Sequence, residues 1–214
     1  MKKLLVLLVF TPLLVLSQNP YQDFGTWTKL SSIFKINKKT SWCNKTELRT
    51  FDNSRQINQI YSQVSLDRKL SKKLSTSFAW RLKFINDDYS YTTSNRFHND
   101  LSFRNKISDF KIDFRLRTQY QISNSKINEL IERSRLKIQY RVSKKISIYL
   151  YDELYFLMNG DFINSYTKNR FGTGVKYKIN KKTSLEFKYL KINDVNVEYP
   201  KSLNIIGFKI SNKF

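Results

Sequence analysis

Four short polar turns recur along the chain, and they constrain its fold more than any other feature. They are Ile36-Asn37-Lys38-Lys39-Thr40-Ser41, Leu70-Ser71-Lys72-Lys73-Leu74-Ser75, Val142-Ser143-Lys144-Lys145-Ile146-Ser147 and Ile179-Asn180-Lys181-Lys182-Thr183-Ser184. Each joins two segments in which apolar and polar residues alternate. Successive side chains of a strand point to opposite faces, so alternation broken by a tight polar turn spells a hairpin of half-buried strands.

The clearest strand runs from Phe110 to Ile122. Phe110, Ile112, Phe114, Leu116, Tyr120 and Ile122 fall on one face, while Lys111, Asp113, Arg115, Arg117, Gln119 and Gln121 fall on the other. A strand this long exceeds the ~5–6 residues usual in globular sheets and matches the ~9–11 that cross a bilayer at a tilt. The same scheme marks Leu74–Phe84 and Ser134–Val142. Further segments are Phe24–Ile36, Thr40–Phe51, Ile57–Leu70, Arg96–Ile107, Ile146–Leu157, Thr167–Ile179, Thr183–Ile192 and Ser202–Phe214. The pattern predicts an all-β fold, an antiparallel up-and-down transmembrane β-barrel of about ten to twelve strands.

The Lys-Lys turns, with Asn105–Asp109, then form one end of the barrel. Longer polar loops are expected at the other, near Phe51–Gln56, Asn86–Asn95, Ser123–Leu130, Met158–Tyr166 and Asn193–Lys201. Short turns face the periplasm and long loops the exterior in barrels of this class. The eleven segments sit awkwardly with the even strand numbers of bacterial single-chain barrels. Either a further strand lies near Pro20–Gly25, or the first segment is not a full barrel member. Asp152 shares the parity of Leu150 and Leu154, which puts a charge on the lipid face unless a bulge or the outer rim accommodates it.

Lys2 and Lys3, the apolar run Leu4–Leu16 and the small residue Ser17 have the layout of a cleaved secretory signal, giving residues 1–17 as signal and 18–214 as one barrel domain. Cys43 is the single cysteine and does not follow the expected cut, so neither an internal disulfide nor a lipoprotein anchor is expected. Low mean hydropathy is compatible with a barrel, because the lipid face occupies alternate positions and escapes a hydropathy window. The formal charge is +22, falling to +20 when Lys2 and Lys3 leave with the signal. Cations interleaved with apolar residues along exported strands point away from nucleic acid. They point toward anionic outer-membrane lipid, lipopolysaccharide included, or toward anions in the lumen.

Inward-reading cations are Arg49, Arg81, Arg104, Arg115, Arg117, Arg133, Arg135, Arg141 and Arg170, with Glu47, Asp100, Asp113, Glu153 and Glu186 as counter-charges. They read as a paired network filling a narrow lumen, or as an anion-attracting pore. Glu153 and Arg170 are expected to pair across one hairpin. The lone histidine, His98, reads as a rim residue; an acyl hydrolase would require it to meet a serine such as Ser75 or Ser77. No residue spacing resembles a metal site or phosphate loop, and no cofactor is expected. Gly172 and Gly174 lie in a strand, where they make room for bulky lumen side chains or a bend. Trp27, Trp42, Trp80, Tyr120 and Tyr140 read as interfacial girdle residues.

Three stretches, Arg133–Arg141, Leu150–Phe156 and Asn169–Tyr177, together with Gly25-Thr26-Trp27, Glu47 and Arg49, resemble an uncharacterised family of Bacteroidota-type outer-membrane barrels known as domain of unknown function 2490. The resemblance covers nearly all of the mature chain. It implies an outer-membrane barrel but no activity. The ending Phe208, Ile210, Phe214 resembles the signal read by the barrel-assembly machinery, interrupted by Asn212. The expected protein is therefore an exported outer-membrane barrel of structural or small anion-preferring channel type, not an enzyme. The rivals are a lipid-modifying enzyme using His98 and a soluble periplasmic ligand-binding barrel.

Overall fold

The residue that opens each Lys-Lys turn also fixes it. In the computed structural model, which describes residues 21–86, 91–123, 128–159 and 165–214, Asn37 Oδ1 accepts hydrogen bonds from the backbone N–H groups of Lys39 and Thr40, both at 2.8 Å. Ser71, Ser143 and Asn180 repeat this arrangement at the equivalent positions. Short side-chain acceptors satisfy the turn backbone, and the lysines project free. The expected signal, residues 1–17, lies outside the described residues.

Eleven strands follow: β1 (Tyr21–Lys35), β2 (Thr40–Phe51), β3 (Gln56–Lys69), β4 (Leu74–Asn86), β5 (Tyr91–Ile107), β6 (Phe110–Ser123), β7 (Glu129–Arg141), β8 (Ile146–Leu157), β9 (Ser165–Lys178), β10 (Thr183–Asp194) and β11 (Lys201–Lys213). Each pairs antiparallel with its sequence neighbours, and β1 closes the barrel against β11 in parallel. Among the described residues the count is thus odd. The first segment is a full member, and no extra strand is required near Pro20–Gly25. With both terminal strands running toward the short-turn end, closure has to be parallel. Phe214 completes the seam: its N–H donates to the Ile33 carbonyl at 2.8 Å and its ring stacks on Phe34 at 4.9 Å between centroids.

The strands are strongly tilted. From Phe34, at the short-turn end of β1, the register passes through Trp42, Leu66, Phe78, Asn99, Thr118 and Glu132 to Phe156, one residue from the opposite end of β8. The strands also extend further than their alternation suggested. β5 begins at Tyr91 rather than Arg96 and β7 at Glu129 rather than Ser134, because polar residues pair as readily as apolar ones once the neighbouring strand is present. β5 and β7 thereby take up residues that the alternation assigns to the long loops near Asn86–Asn95 and Ser123–Leu130.

At the far end, Asp52, Asn53 and Ser54 all adopt left-handed backbone conformations. The Asp23 carboxylate holds them, accepting from the N–H groups of Asp52 and Asn53 at 3.0 Å each. Gly25 lies directly against the Thr50 carbonyl, where a side chain has no room.

Burial is inverted relative to a soluble domain. Glu47 is 0% and Glu153 2% exposed, whereas Phe78 is 58% and Leu66 46% exposed. Asp152 keeps the outward parity expected of it without a local bulge; Asn169 Nδ2 donates to it at 2.7 Å, and the register shift in β8 comes later, between Tyr155 and Phe156. Trp42, Trp80, Tyr120 and Tyr140 point outward. Trp27 does not: it faces the lumen at 6% exposure, so its place in a girdle is corrected to a place in the interior.

Candidate functional site

Inward positions of the strands build two unlike walls. On β1, β10 and β11, Trp27, Leu190, Ile192 and Ile205 form a small apolar cluster, with Tyr151 and Leu203 against it. Gly172 makes this possible. A Cβ there would come within 2.8 Å of Leu190 and closer still to the Tyr151 ring, so the missing side chain is the space the tyrosine occupies. Gly174 serves Tyr149 in the same way, with its hydroxyl 2.7 Å from where a Cβ would stand.

The wall from β4 to β9 is charged, and most of the arginines and carboxylates expected there meet. Glu153 is the hub: the Arg115 guanidinium donates to it, Arg133 Nη2 lies at 2.7 Å and Arg170 Nη1 at 3.5 Å. Glu153 and Arg170 are direct cross-strand partners, as expected of them. Arg117 grips Asp100 with two hydrogen bonds of 2.5 and 2.7 Å, and Arg115 reaches the same carboxylate at 3.7 Å, so the two carboxylates share one arginine chain. Asp113 joins Arg104 and Arg135 at 3.0 and 3.1 Å. Across the lumen, Glu47 pairs with Lys29 and with Arg49 at 2.6 Å.

Arg81 stands apart from this pairing. Its partner is Gln63, at 3.0 and 2.6 Å, and its guanidinium lies 3.7 Å over the Tyr61 ring. Arg49 caps Trp27 at 3.7 Å, Arg133 covers Tyr155 at 4.2 Å and Lys137 covers Tyr149 at 3.4 Å. Ring faces attract cations where carboxylates are too few. Arg141 falls at the short-turn rim, half exposed and paired with Asp109 at 2.5 Å.

The charge network named from the sequence holds only arginines and carboxylates, although the alternation sets Lys111, Gln119 and Gln121 on the same polar face. Lys29, Lys45, Lys83, Lys137 and Lys188 all face the lumen, and Gln121 accepts from both Lys83 at 2.7 Å and Arg96 at 2.6 Å. The signal was available, because these residues share the inward parity of the arginines on their strands.

His98 is not a rim residue. It is 3% exposed on the lumen wall between Ala79 and Gln119, and its Nδ1 has no hydrogen-bond partner among the described residues. Ser77, across from Asp100, donates instead to Asp67 at 2.5 Å, and Ser75 pairs with Ser102. The structure therefore does not join His98 to either serine.

Between the walls lies a cavity of about 1000 Å³, whose lining runs from Lys176 and Lys209 near the short turns to Glu129 and Tyr199 at the far end. Eighteen lysines and arginines face it against five carboxylates, among the described residues; Glu47 and Asp100 do not line it but pair with Lys29, Arg49 and Arg117, which do. A family model described as protein of unknown function (DUF2490) matches residues 24–198. The chain belongs to the DUF2490 family. No curated protein matches it in sequence. Among solved structures, the translocator domain of the autotransporter NalP from Neisseria meningitidis is similar to this DUF2490 barrel at a TM-score of 0.43 and 10% identity, over 78% of this chain and 72% of that one. Among the described residues of the DUF2490 chain, no group of histidine, cysteine or carboxylate side chains is placed to hold a metal.

Proposed function

We propose that this DUF2490 protein is an outer-membrane β-barrel whose lumen conducts small anions. The observation that carries the reading is the inverted distribution of side chains: arginines, lysines and glutamates inside, phenylalanines and leucines outside, around a continuous cavity with a large excess of cations. An exposed apolar belt of this extent is costly in water and is satisfied by lipid. A strand of 13 residues such as β7 has ~43 Å of contour, which at a ~40° tilt stands ~33 Å high and suits a ~30 Å hydrocarbon layer.

The mechanism follows from field and fit. Paired groups around Glu153 and Asp100 hold the wall rigid, while Arg81, Lys83, Arg96, Lys137 and Lys188 have no carboxylate within ion-pair distance among the described residues and leave the lumen positive. Low-dielectric walls focus that field on the axis, so an anion shedding part of its water is compensated by guanidinium and ammonium donors. Amide and aromatic partners hold these cations without neutralising them.

Single-channel recording of the refolded barrel in planar bilayers tests the reading. Steady steps are expected, reduced by Arg115→Glu or Arg135→Glu in protein that still shows heat-modifiable migration. A folded barrel that never conducts sinks the channel.

A further inference from the structure

The lysines of two turns and the strand ends beside them enclose a second space, outside the lumen network. Lys144 and Lys145, in the β7–β8 turn, face Lys181 and Lys182, in the β9–β10 turn, and Lys178 and Lys213 complete a recess of about 490 Å³. Among the described residues no carboxylate lines it. The backbone beneath is pinned: Lys178 N–H donates to the Lys145 carbonyl at 2.9 Å and Lys213 N–H to the Lys182 carbonyl at 3.0 Å, while Ser143 and Asn180 brace the turns from within. The ammonium groups are exposed, and none of the four turn lysines forms an ion pair among the described residues.

Several like charges held around one concavity repel one another, and the arrangement is relieved by a multivalent anion. Lysine ammonium groups are strongly hydrated point charges and suit tetrahedral phosphate, whereas planar bidentate recognition of carboxylate calls for arginine. We propose that this recess is a binding site for an anion carrying two neighbouring phosphate groups. Such chemistry occurs in a diphosphate in solution and in a two-phosphate lipid headgroup at the barrel rim. Lys176 lines both the recess and the lumen cavity, so the bound anion sits at the lumen mouth.

The turns at 36–39 and 70–73 supply an internal control, because they have the same braced architecture and two lysines each but do not line the recess. Calorimetric titration of inorganic pyrophosphate into the barrel in zwitterionic detergent tests the soluble source. Native mass spectrometry after exchange with cardiolipin or phosphatidylcholine tests the headgroup.

The quadruple change Lys144→Gln, Lys145→Gln, Lys181→Gln and Lys182→Gln removes several charge-assisted contacts and should weaken binding in the positive arm about tenfold or more. The matched change Lys38→Gln, Lys39→Gln, Lys72→Gln and Lys73→Gln, with the same loss of charge, should leave it within about twofold if the site is local. Pyrophosphate binding assigns a soluble ligand, and cardiolipin retention without it assigns a headgroup. Equal weakening by both quadruple variants would show net charge alone, and that result, or binding in neither arm, overturns the site.

Discussion

Glu153 carries more of the interior than any other residue, because Arg115, Arg133 and Arg170 converge on it from three strands. Glu153→Gln keeps the shape and removes the charge, leaving buried guanidinium groups uncompensated, and should cost about 3–5 kcal/mol. Urea unfolding of the refolded protein measures the loss. An unchanged midpoint would mean that lumen water already solvates these arginines. Gly172 makes a different contribution, of space. Gly172→Ala presses a methyl group into Tyr151 and Leu190 and should destabilise by about 1–3 kcal/mol. Adding Tyr151→Ala should recover part of that loss, a coupling that a double-mutant cycle reads directly.

At the scale of the element, the turns and the seam divide the tasks of chain reversal and closure. Asn180→Ala deletes two backbone hydrogen bonds at 2.8 and 2.7 Å in the β9–β10 turn and should cost about 1 kcal/mol, whereas Lys181→Gln should leave stability unchanged. Unfolding midpoints of the two variants separate the contributions. Phe214→Ala removes the ring stacked on Phe34 at the parallel seam and should cost about 1 kcal/mol in vitro. In cells it should lower the assembled fraction far more, if Phe208, Ile210 and Phe214 form the assembly signal. Equal losses in vitro and in cells would confine Phe214 to packing.

Strand identity was legible because period-two alternation survives wherever one face meets an apolar medium, as from Phe110 to Ile122. Strand ends were not. From Tyr91 to Asn95 and from Glu129 to Arg133 the alternation weakens, and only the neighbouring strand's hydrogen bonds define the pairing. Parity placed Glu153 opposite Arg170. It could not show that Trp27 lies under Arg49, since girdle and lumen aromatics are told apart only by the twist and tilt that assign each face.

For the whole molecule, closure turns a moderately amphipathic set of strands into a sharply partitioned object, with an apolar exterior and a cation-rich axis. The apolar wall of Trp27, Leu190, Ile192 and Ile205 narrows the lumen, and the arginine wall opposite keeps what remains positive. The sign of selectivity is therefore the property in which sequence, register and electrostatics converge. Its direct measure is the reversal potential of the refolded barrel in a planar bilayer under a salt gradient. A reversal potential of anion-selective sign, moved toward zero by Arg115→Glu, is the predicted result; cation selectivity, or folded barrels without conductance, would contradict the account.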